Sequence, residues 1–425
     1  MGQGKFFQKK ISGNSLIITI IIGLVLAILC SSLLLLFYYN RLWQSQVKID
    51  RQLERNIQSG INLLLSDTST IFVATPDTID LFGDAENLIK TERERWGLFY
   101  IGLVEAYAAN TKKAKLFLYG SKPEKYYDGC IYLADHQEAL SLIGDTRLTG
   151  DAYLSGGGIK PGYINQRGYS FSRLLAGSIQ RSKRDLPALN ENTLEYLLAL
   201  EKSTGDTSFL KSMDIIESDT LERSFGDTAL TFFQHRRIVV AGKYLKGKII
   251  IKSDSAIEVA KSAGLENVIL VAPEIRFDAG FSGTVQAVAT DSIIAEAGTS
   301  LHYPSSLVLV NNGNSIDGKR INIEKDCKLE GIILSIADSA HKQKTFVNIR
   351  SGTIITGIVY ASGFLENLAT IQGTALTDLF IYRNGASVYV NNLVDVEINR
   401  NLLSKYFISS PIFGNKKNNI LAWVK

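Results

Sequence analysis

Residues 16–39 read LIITIIIGLVLAILCSSLLLLFYY, 24 positions without a charged side chain. Backbone polar groups placed in lipid must be satisfied within the segment, so a run of this kind that stays in the bilayer has to be helical. At ~1.5 Å per residue it reaches roughly 36 Å, enough to cross a hydrocarbon core of about 30 Å. Tyr38, Tyr39 and Trp43 place aromatic rings at its exit, the depth that amphipathic rings prefer. A cleaved signal peptide has a shorter apolar core and a small-residue cleavage site, and neither is present. Leu29 before Cys30 speaks against lipoprotein processing, and Phe6 stands where a myristoylation signal needs Ser or Thr. The segment therefore reads as an uncleaved single-pass anchor behind a basic tail, residues 1–15.

Lys5, Lys9 and Lys10 precede the anchor and Arg41, Lys48 and Arg51 follow it, so the basic count is nearly balanced. A short basic tail before the first apolar helix favours a cytoplasmic N-terminus. The bulk of the chain is then expected outside the cytoplasm, in a bacterial cell envelope. Ile49, Leu53, Ile57, Ile61 and Leu64 recur every three or four positions with polar residues between them. This spacing extends the helix into an amphipathic stalk over residues 40–65. A helix used in this way resembles the first helix of type IV pilins and pseudopilins, and residues 59–65 (SGINLLL) resemble a segment of some minor pilins. The Gly-Phe processing site and the Glu of that family are missing, and a signal-anchor with a helical stalk accounts for the same residues.

The 425 residues are 45% hydrophobic and 21% charged, a composition that folds. A net charge of +4 is too small to imply a polyanion partner by itself. Cys130 and Cys327 have no CxxC context and are expected as buried free thiols rather than a bridge. Residues 66–130 read as a small α+β region. Two strands around residues 96–104 and 114–119, joined by a polar turn, would rest on the amphipathic helix.

Further on, one triplet keeps returning: apolar residue, any residue, glycine. It occurs at Leu148-Thr149-Gly150, Leu245-Lys246-Gly247, Phe281-Ser282-Gly283, Leu329-Glu330-Gly331, Ile355-Thr356-Gly357 and Ile371-Gln372-Gly373. Short strands rich in Val, Ile and Leu lie between, such as 268–272 (VILVA), 275–277 (IRF) and 394–398 (VDVEI). Glycine suits corners where a side chain would clash, so the reading is a parallel β-solenoid over residues 131–189 and 226–400. Residues 354–360 (IITGIVY) and 369–374 (ATIQGT) resemble the repeat of bactofilins, a likeness covering about residues 245–400. It implies a polymer-forming β-helix; the interruptions at 311–320 and 337–345 depart from the bactofilin pattern.

Residues 190–225 break the pattern with helical spacing at Leu194, Leu197, Leu198 and Leu200 and with Asn192 as a candidate N-cap. This helical insert holds eight carboxylates and three basic residues. Residues 159–184 just before it hold Lys160, Arg167, Arg173, Arg181, Lys183 and Arg184 and no acid. Opposite charge would draw the two together. With Tyr163, Tyr169 and Phe171 interleaved, the basic strip is the candidate surface for a polyanion or partner: Lys160, Arg167, Tyr169, Arg173, Arg181, Lys183 and Arg184. Residues 401–425 are expected as a C-terminal tail or cap.

No catalytic, cofactor-binding or metal-ligating residue is expected. His136, His235, His302 and His341 are scattered, and only His341 has a carboxylate, Asp338, at helical spacing. Gly156-Gly157-Gly158 lacks the Gly-Lys-Ser/Thr ending of a phosphate loop. Asp291 and Asp378 stand alone, and Asp395-Val396-Glu397, no dense acidic cluster, reads equally well as the solvent face of a strand. Taken together the chain reads as mainly β, with one transmembrane helix extended into an amphipathic helix. A small α+β region and a solenoid with a helical insert follow. The function expected is that of a non-enzymatic envelope scaffold or assembly component, of a pilus-like or secretion apparatus. Its partners would be the lipid bilayer, through residues 16–39, and other proteins or further copies of itself. Alternatives are a polysaccharide-active β-helix enzyme and an extracytoplasmic binder of nucleic acid or acidic glycan.

Overall fold

The structure is a computed structural model. It describes residues 13–67, 77–83, 87–108, 111–202, 210–211, 219–311, 318–337, 345–414 and 417–424. The chain divides into two compact units, one of Met1–Gly60, Thr78–Lys90 and Glu105–Ala114, the other of the remaining segments.

Helix α1, Gly13–Ser66, is continuous over 54 residues. It begins in the first unit, where every side chain from 15 to 46 is exposed. It is one helix long and apolar enough to cross a membrane. The exposure ends where the apolar stripe begins: Leu53 and Ile57 are buried. Asn56, also buried, donates from Nδ2 to Asn87 Oδ1 at 3.0 Å and accepts from Gln52 Nε2 at 3.0 Å, so this polar interruption of the stripe is satisfied. Lys113 Nζ lies 2.8 Å from Asp50 and 3.0 Å from Glu54, one helical turn apart. The amphipathic continuation read from the sequence is therefore present.

In the second unit, residues 91–96, 99–104 and 115–121, parts of the strands Leu88–Trp96, Phe99–Ala108 and Thr111–Ser121, contribute to an antiparallel sheet. The C-terminal segment returns to it: Asn418–Val424 pairs with residues 116–121, from Asn418 opposite Ser121 to Val424 opposite Leu116.

The rest of this unit is a stack of parallel strands. Gly264–Phe277, Ser282–Ala295, Ser300–Asn311, Lys328–Ala337, Ile354–Asn367 and Thr370–Asn384 follow one another, each paired with the next. These strands are 10 to 15 residues long, longer than the short runs expected. Residues 268–272 and 275–277 belong to one strand, because pairing with its neighbour continues past a register shift between Ala272 and Glu274.

Register places equivalent residues in columns. An inner column runs Leu270, Ala287, Leu307, Ile333, Val359, Ala375, Ile131 and Ala152, every member buried. An outer column runs Val271, Val288, Val308, Leu334, Tyr360, Leu376, Tyr132 and Tyr153, also buried. Trp96, Leu98, Ile101, Leu197 and Phe413 belong to the same apolar cluster as the outer column. With both faces covered, these strands read as continuous apolar runs rather than an alternation.

The stacking order departs from chain order. Ile131–Leu133 pairs with Thr370–Asn384, near the end of the later strands, and Ala152–Leu154 pairs with Ile131–Leu133 in turn. The chain then passes through α2, Glu191–Lys202, to the far end of the stack and returns strand by strand to where it started. Asn190, not Asn192, caps α2: its Oδ1 accepts the Thr193 N–H at 3.1 Å. Strand Thr220–Arg223 follows within the expected insert.

Of the six triplet glycines, Gly283, Gly331, Gly357 and Gly373 lie inside strands rather than at corners, Gly247 ends the strand Tyr244–Gly247, and Gly150 falls between Arg147–Thr149 and Ala152–Leu154. Gly331, Gly357 and Gly373 occupy one register column with φ of 146°, 146° and 156°. A Cβ on Gly357 would stand 1.9 Å from the carbonyl oxygen of Gly331, and one on Gly373 1.9 Å from that of Gly357. Gly247 repeats this against the Arg223 oxygen, whereas Gly283 has no positive φ. At Gly247, Gly331, Gly357 and Gly373 the triplet therefore marks a bend at which successive strands approach closely.

Cys130 and Cys327 are buried free thiols, and burial pushes the Cys130 thiol up to about 12. Maleimide at neutral pH is accordingly expected to leave both unmodified until denaturant is added, as peptide mass mapping would show.

Candidate functional site

The basic strip occupies one place in the stack. Ile159–Pro161 pairs with Leu140–Ile143 and forms the edge of its sheet. Tyr169 bridges Gly144, Ala176 bridges Thr149, and Ile179–Arg181 pairs with Ala152–Leu154. Residues 159–181 thus form the outermost turn at one end of the stack. The acid-free segment noted in the sequence coincides with this end turn and runs three residues past it.

The side chains there fall into two groups. The first is held. Arg167 makes a bidentate pair with Asp395, Nη1 to Oδ2 at 2.7 Å and Nη2 to Oδ1 at 2.9 Å. Asp395 Oδ1 also accepts the Asp145 N–H at 2.9 Å. Arg173 Nε donates to Leu175 O at 2.7 Å, and the Tyr169 hydroxyl donates to Arg173 O at 2.7 Å. Arg181 Nε stands 3.4 Å from Asp135 Oδ2. The Gln137 N–H on Asp135, with a smaller contribution from Arg181, holds that carboxyl below its ordinary range. Phe171 lies against Tyr169 and beneath the Arg147 guanidinium at 4.6 Å.

The second group is Lys160, Lys183 and Arg184. They are exposed and make no ion pair among the described residues. Lys183 is anchored by backbone alone, its N–H donating to the Tyr132 hydroxyl at 3.0 Å and its carbonyl accepting from Asp135 at 2.8 Å. The structure therefore gathers the seven residues at one end of the stack but leaves only three cations at liberty.

The counter-charges differ from the expectation. Arg167 and Arg181 meet Asp395 and Asp135, on neighbouring turns, rather than the acidic insert. Asp395 was visible as half of an acid pair with Glu397, but nothing local linked it to a residue 228 positions earlier.

Other polar groups that look isolated in sequence also find partners. His136 Nε2 is 3.1 Å from Asp378, His235 Nδ1 is 2.6 Å from Asp254, and His302 Nε2 is 2.9 Å from Ser282 Oγ. Asp291 faces the buried Lys319 amine at 3.5 Å. His341 and Asp338 lie outside the described residues. No cluster of three metal-ligating side chains occurs among the described residues.

Two sites escaped the sequence reading. Gln286 is buried in the column of Ile269, Ser306 and Ile332 and holds the turn between Trp96 and Phe99: its Oε1 accepts the Leu98 N–H at 2.7 Å and its Nε2 donates to Trp96 O at 3.0 Å. Glu366 is 1% exposed and accepts from Arg383 Nη1 at 3.0 Å, Arg350 Nη1 at 3.2 Å and the Arg383 N–H at 3.1 Å. It continues a column with Asn322 and Asn348, joined to each other at 2.8 Å. A cavity of about 250 Å³ lies among Glu94, Ile101, Leu116, Phe225 and Lys248. The Lys248 amine is already committed to Glu94 at 2.5 Å, Asp227 O at 2.9 Å and Phe225 O at 3.4 Å.

No protein-family model and no curated protein matches the chain. Among solved structures it is similar to the competence-associated pilin ComZ from Thermus thermophilus, at 9% identity and a TM-score of 0.21, over 88% of this chain and 97% of that one. A superposition this loose establishes neither fold nor role, and the bactofilin likeness finds no counterpart.

Proposed function

We propose that this chain is a non-enzymatic, membrane-anchored scaffold or assembly component of the cell envelope, of a pilus-like or secretion apparatus. The observation that carries the reading is α1. One continuous helix exposes every side chain over residues 15–46 and then buries Leu53, Ile57, Ile61 and Leu64 in a single stripe. Such a helix couples a lipid-embedded half directly to folded protein. The parallel stack, with in-register columns and a repeated glycine bend, is read as a β-solenoid whose stability comes from turn-on-turn contact. Stability built from turn-on-turn contact suits a structural part.

Crosslinking in intact membranes is expected to recover the protein with partner proteins or with further copies of itself. Recovery only as a monomer, at crosslinker densities that capture known complexes, would refute the assembly reading. Protease added to sealed inside-in vesicles is expected to digest residues 40–425 and spare the N-terminal tail; full protection would reverse the orientation.

A further inference from the structure

The end of the stack formed by residues 159–184 is unfinished in three respects. First, the inner column Ile131, Ala152 continues to Ile179, which is 54% exposed although its two predecessors are fully buried. The apolar core therefore reaches solvent at this end. Second, the backbone edge is open. Ala152 donates to Ser178 O and Ser182 donates to Leu154 O, both at 2.9 Å. In a parallel pair the groups alternate, so the N–H and C=O groups of Ile179 and Arg181 face away from the stack. Third, the rim carries Lys160, Lys183 and Arg184, exposed and without carboxylate partners among the described residues. Solenoid ends need a cap, and open strand edges invite further strands.

We propose that this end turn docks an extended, acidic polypeptide segment of a partner protein, which adds as one more strand over Ile179–Arg181 and covers Ile179. The proposal rests on the assembly reading only in taking the partner to be a protein. A strand supplies what the edge lacks: alternating N–H and C=O groups for Ile179 and Arg181, apolar side chains for Ile179, and carboxylates for the free cations. The same positive rim repels the like end of a second copy, which disfavours symmetric end-to-end pairing while admitting an acidic strand. Nucleic acid fits less well. Phe171 lies beneath Arg147 and the Tyr169 hydroxyl is tied to Arg173, so of the strip's three aromatics only Tyr163, 71% exposed, is open for base stacking, against the row of rings a single strand uses. Arg167 and Arg181 are likewise engaged by Asp395 and Asp135 rather than open to phosphates.

The test uses full-length protein in detergent micelles. The probes are a short fluorescent peptide alternating Glu and Val, its Lys–Val counterpart, and a thymidine oligonucleotide. The acidic peptide is expected to bind saturably, the basic peptide not at all, and the oligonucleotide more weakly than the acidic peptide. Lys183→Glu with Arg184→Glu, on exposed side chains, is expected to weaken the acidic peptide by at least about tenfold. Ile179→Pro keeps every charge and removes only an outward N–H, so the ladder to Ala152–Leu154 is retained. It is expected to weaken binding comparably, with an unchanged circular dichroism spectrum. Binding indifferent to Ile179→Pro in a folded protein would overturn strand addition. Oligonucleotide binding as tight as that of the peptide, or no binding of the acidic peptide, would overturn the partner class. Crosslinking to partners in membranes is a separate readout, so loss of peptide binding leaves the assembly reading to its own test.

Discussion

Alanine at Gly357 is expected to destabilise the stack by about 3 kcal/mol or more, the range in which backbone strain and unavoidable overlap combine. The new Cβ would sit 1.9 Å from the Gly331 carbonyl oxygen, and the obstacle is backbone, which cannot rotate aside as a side chain could. The φ of 146° adds a conformational penalty for any L-residue with a Cβ. Gly331→Ala and Gly373→Ala meet the same 1.9 Å contact one turn before and after, and are expected to cost as much. Thr356→Ala next door is the control. It removes one hydrogen bond, Thr356 Oγ1 to Gln372 Oε1 at 3.1 Å, and is expected to cost about 1 kcal/mol or less. Urea unfolding followed by tryptophan fluorescence reads the difference, since Trp96 is buried in the same unit as the stack. Equal midpoints for Gly357→Ala and Thr356→Ala would show that the glycine column is not required.

Removing the Glu366 carboxylate is the second large effect. Glu366→Ala leaves the Arg350 and Arg383 guanidinium groups and the Arg383 amide without their shared acceptor. A buried acceptor lost from a charged network costs about 3–5 kcal/mol when its partners are also buried. Arg350 and Arg383 are each 38% exposed and can turn to water, so about 2 kcal/mol is expected here. Arg383→Ala alone also breaks the pair, and the double variant is expected to cost less than the sum of the singles. Strict additivity in that cycle would mean that the two side chains contribute independently, contrary to the 3.0 Å contact between them.

These two sites show different degrees of legibility. The glycines announced themselves, because an apolar-x-Gly triplet repeated six times needs a backbone reason. Their setting did not: a positive φ inside a strand requires a neighbouring strand at close quarters, and that neighbour lies 16 or 26 positions away according to the turn. Glu366 looked inert as the lone carboxylate of residues 352–375. Its importance comes from Arg350 and Arg383, which approach it only when successive strands stack. Likewise the acid-free segment 159–184 was visible, while Asp395 and Asp135 as the acids that meet it were not.

The sequence by itself determined the features that physical chemistry enforces locally. An uncharged run of 24 residues has to be helical in lipid, a three-four spacing continues that helix with one buried stripe, and β-branched runs between glycines make strands. Only the tertiary structure decided which strands stack and where the stack ends. The early strand Ile131–Leu133 lies on Thr370–Asn384, and the chain reaches the opposite end through α2 before winding back. Strands that are all apolar on both faces are nearly interchangeable as neighbours by composition. Their order is set by register, by columns of matching volume and by pairs such as Arg167 with Asp395, and each of these links residues too far apart for any local pattern to carry.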